Sequence, residues 1–146
     1  MKPNPVLKTI LSMNILFLLL PKKDVDYLFE DFTIRQALEK MKAHGYSTVP
    51  VIERSTGKYL RSVTDGDFLR VMLDNRLDFD DLERLPLSSV PSGRIIKAVS
   101  SYAREKDLLD VMINQNYVPV VDDNGSFIGI VTRKSVLTKY ISDKEQ

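Results

Sequence analysis

At 146 residues, with 43% apolar and 28% charged side chains, the chain has the length of one domain or of two small modules sharing a core, and the composition of a packed protein rather than a disordered one. A net charge of +1 with both signs interspersed excludes the concentrated basic stripe that a nucleic-acid surface needs. There is no cysteine, so disulfides and thiolate metal sites are excluded and nothing points to a secreted chain.

The apolar run Ile10 to Leu20, preceded by Lys2 and Lys8, opens the chain. Its eleven residues are too few to span a bilayer, which takes roughly 20. It runs into Pro21-Lys22-Lys23-Asp24 instead of a small-residue cleavage site. The expectation is a cytoplasmic protein with no membrane contact. Residues 13–20 read as a short buried helix stopped by Pro21, with residues 1–12 an N-terminal extension and Met13 a candidate start.

Val25 to Phe29 is expected to be a short strand. Thr33 with Gln36 forms a capping box for a helix whose Ile34, Ala37, Leu38 and Met41 share one face, and Gly45 is placed to end it in the left-handed conformation. The β-branched run Thr48 to Ile52 is a strand. Pro50 inside it predicts an edge, or a place where backbone faces a ligand. Ser55-Thr56-Gly57 turns the chain into the strand Tyr59 to Val63, and Thr64 caps a helix carrying Phe68, Leu69, Met72 and Leu73. Residues 76–94 form a linker. Its acidic run Asp78, Asp80, Asp81 and Glu83 reads as solvated surface, while its apolar residues predict short helical turns.

The plan then repeats at a spacing of about 70 residues. Ile95 to Tyr102 contains a strand, and 104–115 is a helix with Leu108, Leu109, Met112 and Ile113 inward. Val118 to Val121 is a strand, Asp122 to Ser126 a turn, and Phe127 to Val131 the return strand. Thr132 caps a last helix carrying Val136, Leu137 and Tyr140. Each module is strand, helix, strand, strand, helix, and neither buries its apolar face alone.

Tyr46-Ser47-Thr48-Val49-Pro50 recurs as Tyr117-Val118-Pro119, and the strand ending Val63-Thr64, with Asp67 three residues on, recurs as Val131-Thr132. These two signatures, in register twice, resemble the CBS domain. The tandem pair resembles a Bateman module of the kind found as small stand-alone bacterial proteins. The resemblance implies an α/β (α+β) fold of two pseudo-symmetric motifs, 13–75 and 95–142, with 143–146 a polar tail. It implies that the motifs pack sheet to sheet and leave two clefts that hold adenine nucleotides or other adenosyl ligands. Asp67 would accept the ribose hydroxyls, Thr64 would sit near phosphate or ribose, and the Tyr46 to Pro50 backbone would line the base pocket. Tyr117, Val118, Pro119 and Thr132 take the same parts in the second motif. A homodimer is implied as well.

The residue chemistry agrees. A carboxylate accepts from two vicinal hydroxyls, and a helix start offers free N–H groups to a phosphate. The second motif departs from the pattern. Ser135 stands where Asp67 stands in the first, and Arg133 adds charge beside the helix start, so a ribose-reading site at Thr64/Asp67 and a phosphate-reading site at Thr132/Arg133 are expected. In the first motif Arg61 replaces the glycine found as Gly129. Some stand-alone relatives bind cyclic di-AMP, with a lysine before the first strand's valine; here Asp24 precedes Val25.

The expected function is a non-enzymatic sensor that binds an adenine nucleotide as regulatory ligand, with no cofactor, and signals to an unidentified protein partner. A cyclic di-AMP-binding protein and a ligandless dimerisation module are the alternatives. Thr64 and Thr132 also read as plain N-caps and Asp67 as a carboxylate favoured by the helix dipole. No nucleophile set, Gly-rich phosphate loop or metal-ligand spacing supports an enzyme.

Overall fold

In a computed structural model of the chain, residues 14–45 and 47–145 are described. The expectations for residues 1–12, Met13 and Tyr46 fall outside them. The chain divides into two compact units, one of residues 26–96 and one joining residues 14–25 to 97–145. It is a mixed α/β fold with two sheets.

The unit of residues 26–96 holds β2 (Leu28–Phe29), α1 (Ile34–His44), β3 (Thr48–Ile52), β4 (Tyr59–Thr64), α2 (Asp65–Asp74) and α3 (Phe79–Arg84); β1 (Leu20–Pro21) precedes it in the chain. Its sheet order is β2-β3-β4. The Thr33–Gln36 capping box forms in both directions, and Gly45 ends α1 at φ 69°. Ile34, Ala37 and Met41 are buried with Leu28, Val49, Val51, Val63 and Phe68. Residues 76–94 are part of this unit. Leu82, Leu87 and Val90 complete its core, and the Leu87 N–H donates to Phe32 O at 2.6 Å. The acidic run has a local use: Asp78 and Asp81 each accept the other's backbone N–H, capping α3.

The second unit carries β5 (Val99–Ser100), α4 (Glu105–Met112), β6 (Tyr117–Val121), β7 (Phe127–Thr132) and α5 (Arg133–Glu145). Its sheet order is β1-β7-β6-β5. Its core gathers Ile15, Leu18, Leu108, Met112, Val118, Val120, Val131 and Val136.

Three expectations are corrected here. The described part of 13–20 is one 3-10 turn, Ile15–Phe17, followed by β1, which pairs antiparallel with β7. An apolar run this short carries no period that separates helix from buried strand, and the strand partner lies at the far end of the sequence. The strand expected from Val25 begins only at Leu28. Ile113, expected to face inward, follows the last turn of α4 and is 72% exposed.

Pro50 and Pro119 sit in middle strands, not edges, yet at a local gap. β2 meets β3 only at Val51 and Ile52, and β5 meets β6 only at Val120 and Val121. Each proline therefore has a ladder partner on one side alone, Ser62 for Pro50 and Ile130 for Pro119, where its missing N–H is tolerated.

Candidate functional site

The hairpin β3–β4 delivers the expected residues of the first motif to one place. Thr48 is opposite Thr64, Val49 opposite Val63 and Pro50 opposite Ser62. The Asp65 N–H donates to Ser47 O at 3.0 Å and ties the start of α2 to the start of β3. Val49 and Pro50 are buried, Thr48 and Thr64 half-buried, and Ser47 exposed.

Thr64 and Asp67 form a reciprocal capping box. Thr64 Oγ1 accepts the Asp67 N–H at 3.2 Å, and Asp67 Oδ2 accepts the Thr64 N–H at 2.8 Å. Asp67 is only 2% exposed. Its second oxygen, Oδ1, accepts the Gly93 N–H at 2.9 Å and also binds Nη2 of Arg70. The carboxylate is thus already held by three donors of its own unit. A cavity of about 210 Å³ reaches it, lined also by Asp74, Asn75, Pro91 and Ser92.

Arg61, noted only as a departure from glycine, holds this wall in place. It makes two bonds to the Glu30 carboxylate, donates to Leu87 O at 3.0 Å and Ser92 Oγ at 2.9 Å, and also reaches Val90 O. Ser92 Oγ in turn donates to Ser62 O at 2.7 Å. The segment carrying Gly93 is thereby fixed across β4.

The second motif repeats the hairpin with different chemistry at the helix start. Tyr117 is opposite Thr132 and Val118 opposite Val131. Thr132 Oγ1 accepts the Ser135 N–H at 3.0 Å and lies 2.8 Å from Ser135 Oγ. Here a hydroxyl pair stands where the first motif has a carboxylate. Arg133 donates through Nη2 to Met112 O at 3.1 Å and Ile113 O at 3.3 Å, so it caps the end of α4. Val25 belongs to this unit and follows a 3-10 turn, with its N–H on Lys22 O at 3.1 Å.

Sequence reasoning missed Arg70, Gly93 and Gln115. The Gln115 side chain is buried and pairs like a strand with backbone: Oε1 accepts the Lys97 N–H at 2.7 Å, and Nε2 donates to Lys97 O at 3.0 Å and Tyr117 O at 3.1 Å. An unperiodic polar residue just before a Tyr-Val-Pro strand is the one cue the sequence held. His44 faces Asp26 at 3.3 Å. Among the described residues no cluster of His, Asp or Glu is arranged to hold a metal ion, and no helix is long and apolar enough to cross a membrane.

The family model for the CBS domain matches the chain twice, at residues 18–74 and 94–142. The chain belongs to the CBS domain family. The two matches fall on the two hairpin-and-helix repeats, so the CBS motif is present in tandem. No curated protein matches it by sequence. Solved CBS structures share the fold. A crystal structure of CbpB in complex with c-di-AMP aligns with a TM-score of 0.83 at 21% identity, covering 96% of this chain and 94% of that one. CbpB from Streptococcus agalactiae aligns at 0.79 with 22% identity, covering 97% and 88%. CbpB of Listeria monocytogenes in complex with c-di-AMP aligns at 0.77 with 21% identity, covering 91% and 98%.

Proposed function

We propose that this CBS pair is a non-enzymatic sensor that binds an adenine-containing nucleotide and passes its state to a partner protein. One observation carries the reading. In both repeats a strand-end threonine caps a helix beside a proline that interrupts the neighbouring strand. That places helix-start N–H groups, hydroxyls and partly unpaired peptide groups together, a set suited to phosphate, ribose and an adenine edge. Ser47, Thr48, Thr64 and Asp67 are the ligand-facing residues of the first motif, and Tyr117, Thr132 and Ser135 those of the second. Arg133 steadies the second site from the end of α4 and offers its remaining N–H groups to phosphate.

Among adenosyl ligands, cyclic di-AMP is favoured by the CbpB structures that contain it and align over nearly the whole of both chains. We propose a homodimer as the signalling form, on the strength of the exposed apolar rows of α2 and α5. A cytoplasmic location suits a nucleotide sensor.

The test is a thermal-shift and calorimetric panel of AMP, ADP, ATP, S-adenosylmethionine and cyclic di-AMP. A ligand that binds the folded state raises the melting temperature in step with its concentration over Kd. The expected result is a saturable rise with an adenine ligand, which is recovered unchanged after incubation. Silence across the panel would leave the ligandless dimerisation reading, and turnover would make the protein an enzyme.

A further inference from the structure

Helix capping accounts for only part of the acidic run at the start of α3. Asp78 and Asp81 close its capping box, and Asp80 lies in the first turn, where the helix dipole favours a carboxylate. None of this needs Phe79, which lies among them and is 86% exposed, more than any other large apolar side chain described. A lone exposed phenylalanine would need no explanation. Phe79 is not alone. It stands on a groove between α1 and α3 of about 480 Å³, which Leu38 and Leu82 line with it.

The groove has a defined length and end. Arg35, Leu38, Glu39 and Lys42 share the face of α1 that lines it. They span about 10 Å, or two helical turns. Arg35 ties α1 to α3 across one end, on Glu39 at 2.9 Å and on Glu83. The Ile34 N–H, on Leu85 O at 2.9 Å, closes the same end. The charge is lopsided. Residues 78–84 carry four carboxylates against one guanidinium, and that guanidinium, Arg84, is already on Asp81. The Asp80 side chain has no partner among the described residues, and neither has Lys42 on the opposite wall.

We propose that the α1–α3 groove docks an amphipathic helix of a partner protein, with lysine or arginine on the flank that meets α3. Its apolar residues, one or two turns apart, fill the space between Leu38 and Leu82 and cover Phe79. Its basic flank meets Asp80, and an acidic residue on the other flank suits Lys42. A second copy is the poorer occupant, because a twofold contact centred here sets one acidic run against the other. The inference names the chemistry of the partner in the proposed function and rests on that reading for its purpose.

The experiment selects peptides from a displayed library of helical sequences on the full chain without nucleotide. The selected peptide is then measured by fluorescence anisotropy at low and high salt. The expected peptide is basic and amphipathic and binds in the micromolar range, as a contact of this size does. Phe79→Asp should weaken it by about tenfold or more, as loss of an aromatic anchor does, with the melting temperature unmoved. Asp80→Lys should weaken it and flatten its salt dependence. Selected peptides that are acidic, or that bind Phe79→Asp as well as wild type, overturn the inference, as does a library that yields no binder. A dimer that becomes monomer in Phe79→Asp assigns the groove to a second copy and overturns it too. Because no nucleotide is present, these outcomes are independent of the nucleotide panel, whose silence would overturn sensing instead.

Discussion

Arg61 and Gly129 hold the same place in the two hairpins, one opposite Val51 and the other opposite Val120. They solve the same problem in opposite ways. Gly129 lets β1 lie directly on β7: a Cβ there would collide with Leu20 O and sit 2.8 Å from Leu19 Cδ1. At Arg61 no strand arrives. The guanidinium crosses the gap and takes the carbonyls of Leu87 and Val90, with Glu30 neutralising it.

Each residue is therefore expected to be irreplaceable in its own unit. Arg61→Met leaves Glu30 and two carbonyls without their donor. It should destabilise by about 3 kcal/mol, as breaking one side of a largely buried ion pair does. Gly129→Ala should cost about 2 kcal/mol by pushing β1 off the sheet. Urea denaturation of the two variants checks both, and a loss below about 0.5 kcal/mol for either would contradict the packing role.

Asp67 supports the fold, apart from the ligand role proposed for it. Asp67→Ala removes the acceptor of the Thr64 and Gly93 N–H groups and of Arg70. An unliganded loss of about 2 kcal/mol is expected from the unsatisfied donors. Simple truncation at this position is thus a poor test of sensing, since the melting temperature falls under either reading. Thr64→Ala is the milder probe, with a loss of about 1 kcal/mol for the cap alone. A ligand-induced shift that shrinks in Thr64→Ala and vanishes in Asp67→Asn would show binding beyond the cap, and shifts equal to wild type in both would leave the two residues to capping alone.

What was legible in the sequence was local. The Thr33–Gln36 box, the left-handed Gly45, the turn at Gly57 and the caps at Thr64 and Thr132 all lie within a few residues of their cause. The repeat itself reported the order of elements along the chain and the helix starts. Contacts across long separations were not legible. Nothing near Asp67 announced the Gly93 N–H, and nothing near Arg61 announced Leu87 and Val90. Residues 76–94 read as a linker because their composition is acidic, yet Leu82, Leu87 and Val90 are core. The run ending at Leu20 read as a helix because its partner strand, β7, cannot be inferred from its own letters.

The proposed homodimer has a surface to act through. Leu69 and Leu73 lie one turn apart on α2, 58% and 68% exposed, and Leu137 and Ile141 repeat that spacing on α5 at 59% and 54%. An isologous contact between copies would bury such rows. Leu73→Lys and Ile141→Lys should each shift the mass measured by light scattering from dimer to monomer at micromolar concentration, with little change in the melt of the monomer. Dimers that persist in the double variant would move the interface elsewhere.

Tyr59 supplies a prediction in pH. Its hydroxyl donates to Ile96 O at 2.7 Å and lies 2.9 Å from Ser62 Oγ. Burial raises its pKa to about 12, with the Ser62 hydrogen bond pulling weakly the other way. The unfolded chain loses this proton near pH 10. Between those values the folded state holds more protons than the unfolded one, so stability falls as pH rises. The contribution is complete below pH 10 and is lost by about pH 12, on the order of 3 kcal/mol for a shift of this size. Tyr59→Phe removes the titrating group. Its denaturation midpoint should be lower than wild type at pH 8, because Ile96 O loses its donor, and should decline less steeply above pH 10. Parallel curves for the two proteins through that window would show that the Tyr59 hydroxyl is accessible to water and that Ile96 is held by something else.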